Sequence, residues 1–538
     1  MLANEIRDTK AECQIIVFSW HHPVPLESLS YTALSISNPI DVSLELEGSI
    51  AFEKNLGDAA GSFTFSLSNT RDWKRTIRPG TWCLIYMSQG GGLSLPHSSN
   101  GLDLAIPNPE KLKLQKNKLR GICYIERIAT ESHVNENGTL ELNYQVSGRD
   151  FGVIYEETEV WHNFFKHESG IIDAAANYLH AAPTPTVDQL LATIHHLFFT
   201  PFIFPSLSNR DPKDREQETV ASIGFQWNLP REMLTALNLE LFDKSRAPFW
   251  GNIKDILNFQ PTKATLPIEN PMATLNGNAW EKLKSNSIEP FHELFTELDE
   301  NGNPKLNFRP IPWALDKSGY PTLAPYIMLY RDLAKTAVVL NNVEIMDFNL
   351  GECDHERYNH FYCAVNATDS SPFDNISQLQ YPSKLGKIFP WRDISSIARH
   401  GFRPMHVEMN SLLQVSLDGK PDQRILVEFN ELLLDMWTNA IFFESGSVGI
   451  LGRNDVRVGK ALLFSDEAVY NTGKMFYIEG YTDEFLIEEN GVGSWTQQLK
   501  VTRGAEVQAI KRISNFFEDS GLSKRLNEFR SAGEFTNK

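Results

Sequence analysis

The residues with the strongest metal-binding character are two cysteines and two histidines in one short segment. Cys353 and His355 are separated by one residue, and His360 and Cys363 follow with two residues between them. Thiolate and imidazole are the ligands of tetrahedral zinc sites. The spacings differ from those of usual zinc fingers, however, and the apolar pattern places His360 and Cys363 in a strand, where side chains three apart point to opposite faces. We therefore expect no metal site here.

Paired carboxylates are the second group of residues that could do chemistry. Glu297 and Asp299 form one candidate pair, and Glu156, Glu157 and Glu159 form an acidic cluster after a predicted strand. Glycoside hydrolysis needs two carboxyl groups that face each other across a cleft, a geometry that sequence spacing does not establish. A carbohydrate-active hydrolase with β-domains around a helical insert therefore stays an alternative hypothesis.

A partial calcium-loop pattern lies close to this pair. Asp299, Asn301 and Asn303 alternate as the first ligands of such a loop do, but Pro304 stands where the loop requires a glycine. The dipeptide Asn301-Gly302 is a strong turn signal. The sequence therefore predicts a turn at this point.

Further motifs match enzymes only in part. Asp150-Phe151-Gly152 reproduces the magnesium-binding triplet of protein kinases, but no glycine-rich phosphate loop and no His-Arg-Asp loop precede it. The glycines at 90–92 lack the Lys-Ser/Thr pair of a phosphate cradle. No Gly-x-Ser-x-Gly motif occurs in the sequence. We therefore expect a protein that is not an enzyme, with no catalytic residues and no cofactor.

Composition and charge narrow the classes of function. The chain has 538 residues, 41% hydrophobic and 22% charged, which excludes a disordered or collagen-like chain. Its 68 acidic and 50 basic residues give a formal charge of −18, which argues against a protein that grips nucleic acid by its phosphates. Five scattered cysteines imply no disulfide framework and favour assembly in a reducing cytoplasm. No apolar run approaches the ~18 residues of a bilayer span, so we expect a soluble protein without membrane insertion.

The elements that must position these residues fall into four regions and predict a β-rich α+β fold. Residues 1–160 and 335–505 contain short segments rich in Val, Ile, Phe, Tyr and Thr, and such segments at this spacing indicate a barrel or a sandwich. Residues 161–334 form a helical or mixed middle domain, and residues 506–538 form a helical tail. The chain is therefore expected to run β, α, β and then a short helical end.

Helices are predicted where apolar residues recur at i, i+3 and i+4. In the middle domain this pattern occupies 164–182, 187–199, 230–242 and 291–299. A further helix at 423–445 is embedded in the second β-domain. The stretch from 88 to 116 carries three consecutive glycines and several prolines, which predicts a long loop between strands.

A series of individually weak motifs follows a characteristic order along residues 50–510. The series runs from GSFTFSLSN at 61–69 through IRPGTWCLIYM at 77–87, VSGRDFGVIYE at 146–156, IEPFHELFTELDENGNPKLNFRPIPW at 288–313, VEIMDFNLGECDHERYNHFYCAV at 343–365 and DISSIARHGFRPMHVEM at 393–409 to MFYIEGYTDEFLIEENGVGSWTQQLKVTRGAE at 475–506. In this order the motifs resemble those of the baseplate hub proteins of contractile-tailed bacteriophages. The loop at 88–116 and the region 160–280 depart from the family pattern.

The resemblance implies a fold and a place of action. Each chain would carry two tail-tube-like antiparallel β-barrels, and three chains would form a ring that joins the tail tube to the central spike. Its partners would be further copies of itself, the spike protein, a tail tube or tube-initiator protein and the surrounding baseplate wedge proteins. Genomic DNA would pass through the channel without specific binding, which a charge of −18 suits because negative walls repel phosphate. The location would be the tail baseplate of the virion, after assembly in the host cytoplasm.

The helical tail is the candidate contact with the spike or with a neighbouring chain. Packing of the tail on its own chain is an equally open alternative, because an amphipathic stripe serves both purposes. The apolar anchors of the predicted contact are Phe516, Phe517, Leu522, Leu526 and Phe529.

Overall fold

A computed structural model defines the fold over part of the chain. The structure describes residues 10–21, 35–95, 112, 114–134, 140–157, 159–160, 277–278, 280–281, 284, 292–300, 302, 304–310, 333, 336–352, 357–365, 392–409, 437, 444–464, 474–489 and 492–506.

Strands dominate the described residues, which confirms the prediction of a β-rich fold. They are β1 Ala11–His21, β2 Ser35–Asp41, β3 Leu46–Asn55, β4 Ser62–Leu67, β5 Trp82–Gln89, β6 Leu119–Val134, β7 Leu140–Asp150, β8 Glu159–Val160, β9 Gly277–Asn278, β10 His292–Leu298, β11 Pro304–Pro310, β12 Val338–Leu340, β13 Ile345–Glu352, β14 His360–Val365, β15 Pro404–Met409, β16 Glu444–Leu451, β17 Ala461–Phe464, β18 Lys474–Glu489 and β19 Val492–Glu506. Three short helices accompany them, α1 Trp73–Thr76, α2 Val153–Glu157 and α3 Ile394–His400, with 3-10 turns at Ser43–Glu45 and Lys116–Lys118.

Thirteen strands form one sheet that contains both ends of the described chain. Its pairings run β18-β3-β4-β7-β6-β5-β1-β19, and β19 pairs again with β18, so these eight strands close a circuit. Six of the eight precede residue 151, while β18 and β19 form a long hairpin near the C-terminus. Beyond the circuit, β17 and β12 extend the sheet from β18, and β16 and β13 extend it from β19.

Alternate residues of the circuit fill a continuous apolar core. On β1 these are Cys13, Ile15 and Val17, which are buried together with Phe52 of β3 and Phe485 of β18. This alternation is the period of two that places every second side chain of a strand on one face. The core is therefore a packed interior shared by the N-terminal and C-terminal strands.

The outer face of β1, β5 and β6 is also covered. Phe18, Leu84 and Ile122 are buried there with Leu112 from the loop before β6 and Leu298 from β10. A strand with both faces covered becomes apolar at every position. This explains why the run WCLIYM of β5 carries no polar alternation.

The prediction of a helix at 291–299 is wrong, because this segment is β10 and pairs with β11 in a hairpin. Leu294, Phe295 and Leu298 are all buried at 3% exposure. Since a strand buried on both faces loses its alternation, the spacing of its apolar residues imitates a helix. The turn predicted at Asn301-Gly302 is confirmed: the Gly302 N–H donates to the Asp299 carbonyl at 3.0 Å, and Gly302 has a φ of +75°.

The other predicted elements meet the structure in part. The end of the helix predicted at 423–445 is wrong, because strand β16 begins at Glu444. Between 423 and 443 the structure describes only Trp437, which is helical. The predicted helices at 164–182, 187–199 and 230–242 and the tail at 507–538 lie outside the described residues. Two separate barrels remain a prediction. Within the described part of the chain, no helix is long and apolar enough to cross a membrane.

Candidate functional site, a buried junction between the two halves of the chain

A buried ion pair joins the N-terminal strands to the C-terminal hairpin. Arg120 lies near the start of β6 and Asp483 in β18, and both side chains are fully buried. The Arg120 guanidinium donates to one Asp483 oxygen from Nε at 2.9 Å and contacts it from Nη2 at 2.8 Å. The other Asp483 oxygen accepts from Gln497 Nε2 at 2.6 Å and from Trp495 Nε1 at 3.1 Å. Asp483 of β18 is thus held by side chains from two other strands, β6 and β19.

The surroundings of Arg120 keep it charged. Its guanidinium carbon lies 4.6 Å from the ring centre of Tyr481 and 5.7 Å from that of Trp495. Its Nη1 donates to the Val456 carbonyl at 2.8 Å. Burial acts to lower the pKa of Arg120, but the charge and hydrogen bond of Asp483, together with smaller effects of Tyr481 and Glu297, outweigh it and the net pKa is raised. The pair is therefore a desolvated, charge-assisted cross-link between β6 and β18.

A second arginine extends the junction to the strands outside the circuit. The Gln497 amide bridges the backbone of Arg453, accepting from its N–H at 2.8 Å and donating to its carbonyl at 3.0 Å. The Arg453 side chain donates to Glu344 at 2.8 Å and to the Val339 carbonyl of β12 at 2.9 Å. It also pairs with Asp455. Burial acts to raise the pKa of Asp455, but the hydrogen bond and the charge of Arg453, with smaller effects beside them, outweigh burial and the pKa is lowered. The network runs continuously from β6 to β12.

A buried lysine ties β3 to the hairpin of β10 and β11. Lys54 is 1% exposed and forms an ion pair with Asp150, the last residue of β7. Its Nζ also donates to Thr296 Oγ1 of β10 at 2.8 Å and to the Ala59 carbonyl at 3.2 Å. The partial kinase motif at 150–152 is thus part of a structural cross-link, since the second Asp150 oxygen accepts from the Gly152 N–H at 2.9 Å.

The acids of β10 hold the same hairpin against the C-terminal strands. Glu293 accepts from the Tyr477 hydroxyl at 2.6 Å. Glu297 is 6% exposed and accepts from the Val458 N–H at 3.0 Å and from the Leu298 N–H at 2.8 Å. The candidate catalytic pair is therefore not assembled, because Glu297 is buried with both oxygens bonded to backbone while Asp299 lies in the hairpin turn.

The second acidic cluster is also engaged in structure. Arg149 pairs with Glu126, Glu156 and Glu157, of which Glu156 and Glu157 belong to α2. Glu159 lies in β8, but its side chain is outside the described residues. The described acids of this cluster thus surround one guanidinium.

The metal-like cluster is described in part. His360 and Cys363 lie in β14, which confirms the strand prediction, whereas Cys353 and His355 fall outside the described residues. Burial and the charge of Arg392 lower the pKa of His360, whose ring centre is 4.9 Å from that of Phe402. Among the described residues, no group of three or more potential ligands could hold a metal ion.

The Arg120–Asp483 pair of the junction was not among the sequence candidates. Arg120 and Asp483 are separated by 363 positions, so no local pattern connects them. The available signal was a charged residue inside an apolar strand segment, LRGICYI for Arg120 and YTDEFLI for Asp483. The predicted tail anchors Phe516, Phe517, Leu522, Leu526 and Phe529 lie outside the described residues, and their role stays a prediction.

Comparisons with known proteins give matches at the level of structure only. No family model and no curated protein matches the chain. A tail protein from Neisseria meningitidis MC58 aligns with 91% of this chain and 96% of its own, at 11% identity and a TM-score of 0.38. The 43 kDa tail protein of prophage MuSo2 from Shewanella oneidensis aligns with 92% of this chain and 99% of its own, at 10% identity and a TM-score of 0.39.

A third match is a Francisella PdpA–VgrG complex, which covers 93% of this chain and 58% of the matched chain at 10% identity and a TM-score of 0.36. Because these TM-scores lie below 0.5, function is inferred from the residues of this chain and not from the matches. Two of these three solved structures are tail proteins, the class that the sequence motifs resemble.

Proposed function

We propose that this chain is a structural baseplate hub of a phage tail. Three copies form a ring that links the tail tube to the central spike and surrounds the DNA channel. The observation that carries the proposal is the shared hairpin of β18 and β19. It completes a circuit with strands of the first region and also bears β17, β12, β16 and β13. In this proposal, the circuit and the added strands are two joined β units of one chain.

Two β units per chain suit a ring that must match a sixfold tube. Three chains then present six similar units, which gives the pseudo-sixfold symmetry that the family resemblance implies. The junction supports this role, because Arg120, Lys54 and Glu297 each connect segments that are distant in sequence. Buried polar contacts whose groups are all hydrogen-bonded make a structure rigid, and a ring that joins a tube to a spike needs rigid subunits.

The proposed partners are the spike protein below the ring, the tail tube or tube-initiator protein above it and the wedge proteins around it. Genomic DNA passes through the channel of the ring without specific binding, which the formal charge of −18 favours by repulsion of phosphate. The site of action is the tail baseplate of the virion, and assembly takes place in the host cytoplasm.

Negative-stain electron microscopy without imposed symmetry, combined with sedimentation at several concentrations, tests this proposal. A hub gives rings of threefold symmetry with a central channel and a mass of three chains of 61.0 kDa each. Compact single particles with an unchanged mass at high concentration would contradict it.

The hydrolase alternative is tested in parallel with Glu297→Gln. The structural role of Glu297 predicts that this variant alters stability and not a polysaccharide-degrading activity. A wild-type activity on polysaccharides that Glu297→Gln abolishes in a fully folded protein would favour the enzyme instead.

A further inference from the structure

The motif Arg399-x-Gly401-x-Arg403 is not part of the junction, and it forms a rigid basic turn. Asp393 caps the start of α3 by accepting from the Ser396 N–H at 3.0 Å. Gly401 ends the helix with a φ of +80°, a conformation that favours glycine. The helix has no fully buried residue, and Ile394, Arg399 and His400 are exposed.

A buried asparagine holds this turn in place. Asn359 is 0% exposed, and its amide donates to the Gly401 carbonyl at 2.7 Å and accepts from the Arg403 N–H at 2.8 Å. Two large apolar side chains are exposed here, Ile394 at the start of α3 at 66% and Phe402 in the turn at 61%. We define the basic turn as Ile394, Arg399, His400 and Phe402, all of which are exposed.

An acidic counterpart lies on β13, the last strand of the large sheet. Among the described strands β13 pairs only with β16, so its other edge carries no described strand. A β-bulge between Ile345 and Asp347 adds an extra residue, Met346, which is 51% exposed. Phe348 is 39% exposed, although its ring centre lies 6.4 Å from that of Phe464.

The charges of this strand have one sign. Asp347 and Glu352 are exposed, and no Lys or Arg occurs between positions 344 and 352. We define the acidic edge as Met346, Asp347, Phe348 and Glu352. Native proteins protect an edge strand of this kind by covering it or by charging it, and large exposed apolar side chains beside the charges indicate an interaction surface.

We propose that the acidic edge of one copy of this chain binds the basic turn of the next copy. The two surfaces are complementary in charge, and each places two large apolar side chains beside its charged groups. A contact between two different surfaces of identical chains is heterologous. Such contacts close into a ring when the rotation from one copy to the next is a whole fraction of a full turn. This inference rests on the proposed hub function and assigns the residues that join its subunits.

Charge reversal with a rescue arm tests the pairing. Asp347→Arg and Arg399→Glu are each expected to weaken self-association of the full chain roughly tenfold or more, since like charges then face each other across the contact. The double variant D347R/R399E restores opposite charges in every contact of the ring and is expected to recover most of the affinity. Sedimentation velocity over a range of concentrations and salt provides the measurement. Glu131→Arg and Lys74→Glu, at exposed positions outside both surfaces, are the matched controls.

Each outcome decides between the two proposals. If both single variants form the wild-type ring, or if the double variant fails to recover, the pairing is wrong while the hub proposal stands. A wild-type chain that stays monomeric at every concentration contradicts both. The pairing is supported if each single charge reversal weakens self-association, if the double variant recovers it, and if the control variants associate as the wild type does.

Discussion

Removal of one member of the Arg120–Asp483 pair should be among the most damaging single changes in the described part of the chain. In Arg120→Met the side chain keeps much of its apolar length, but the Asp483 carboxyl group stays at 0% exposure without its cationic partner. The carboxylate keeps the donors of Trp495 and Gln497 and loses both contacts from Arg120. The Val456 carbonyl also loses the donor that lies 2.8 Å away.

The magnitude follows from these contacts. Breaking a buried ion pair by removing one partner costs about 3–5 kcal/mol, because an uncompensated charge stays buried. The lost hydrogen bond to a backbone carbonyl adds about 1 kcal/mol. The two remaining neutral donors on Asp483 offset part of this cost, so we expect a loss of about 3–4 kcal/mol in the free energy of opening.

Native-state hydrogen exchange is the suitable assay, because a chain of this size need not unfold in one step. Amides of β6, β18 and β19 should exchange faster together in Arg120→Met, since all three strands meet at the pair. The double variant R120M/D483N removes both charges and should recover about 2 kcal/mol of that loss.

A matched control comes from the same hairpin. Lys500 pairs with Glu479 at 3.4 Å, but its side chain is 68% exposed, so Lys500→Met should change stability by no more than about 0.5 kcal/mol. The reasoning is refuted if Arg120→Met costs less than about 1 kcal/mol, or if the effects of R120M and D483N are additive.

Three further predictions concern other contacts. Lys54→Met leaves Asp150 buried without its partner and should cost about 3 kcal/mol, seen as faster exchange in β10, with the exposed Lys500→Met again as control. Gly152→Ala should lower the melting temperature clearly, because the added Cβ would lie 1.8 Å from the Ala59 carbonyl oxygen. In the control Gly57→Ala the added Cβ meets no atom within 4 Å, so its melting temperature should not fall. Equal melting temperatures of the two variants would contradict this prediction. The lowered pKa of His360 means that the folded state binds its proton less readily, so stability of the β14–β15 unit is full above the usual pKa of 6.5 and is lost as pH falls below it. Exchange of β14 amides against pH measures this loss, and His360→Gln should remove it.

Strands of the first β-region that have one apolar face were predictable from their alternation. β3, for example, buries Leu46, Ile50, Phe52 and Lys54 and exposes residues between them, which produces the expected alternation. The hairpin of β10 and β11 escaped recognition because both faces of β10 are buried. The spacing of apolar residues in a strand shows which of its faces are buried. A strand that is buried on both faces is apolar at nearly every position, so its sequence does not alternate.

The junction could not be predicted for a different reason. Strand pairing between residues 49–55 and 480–486 depends on complementarity across more than four hundred positions, and a single sequence contains no signal for it. The charged residues that mark the junction look like surface residues until their partners are known. Only the position of Arg120 and Asp483 inside apolar segments distinguishes them, since unpaired charges are rarely buried.

The pairing pattern also determines when the first β-region can be completed. β3 pairs with β18 through seven residue pairs, whereas β1 pairs with β19 through two. Before the hairpin of β18 and β19 has been made, the unpaired strand edge is therefore mainly that of β3. Synthesis runs from the N-terminus, and this edge therefore stays unpaired until residues 474–506 have been made. An open strand edge beside an apolar interior promotes wrong pairing with other chains. The charges of Glu47 and Glu53 on β3, both exposed, counter this hazard by keeping the edge unattractive to a second strand until Asp483 arrives beside Arg120 and the circuit closes.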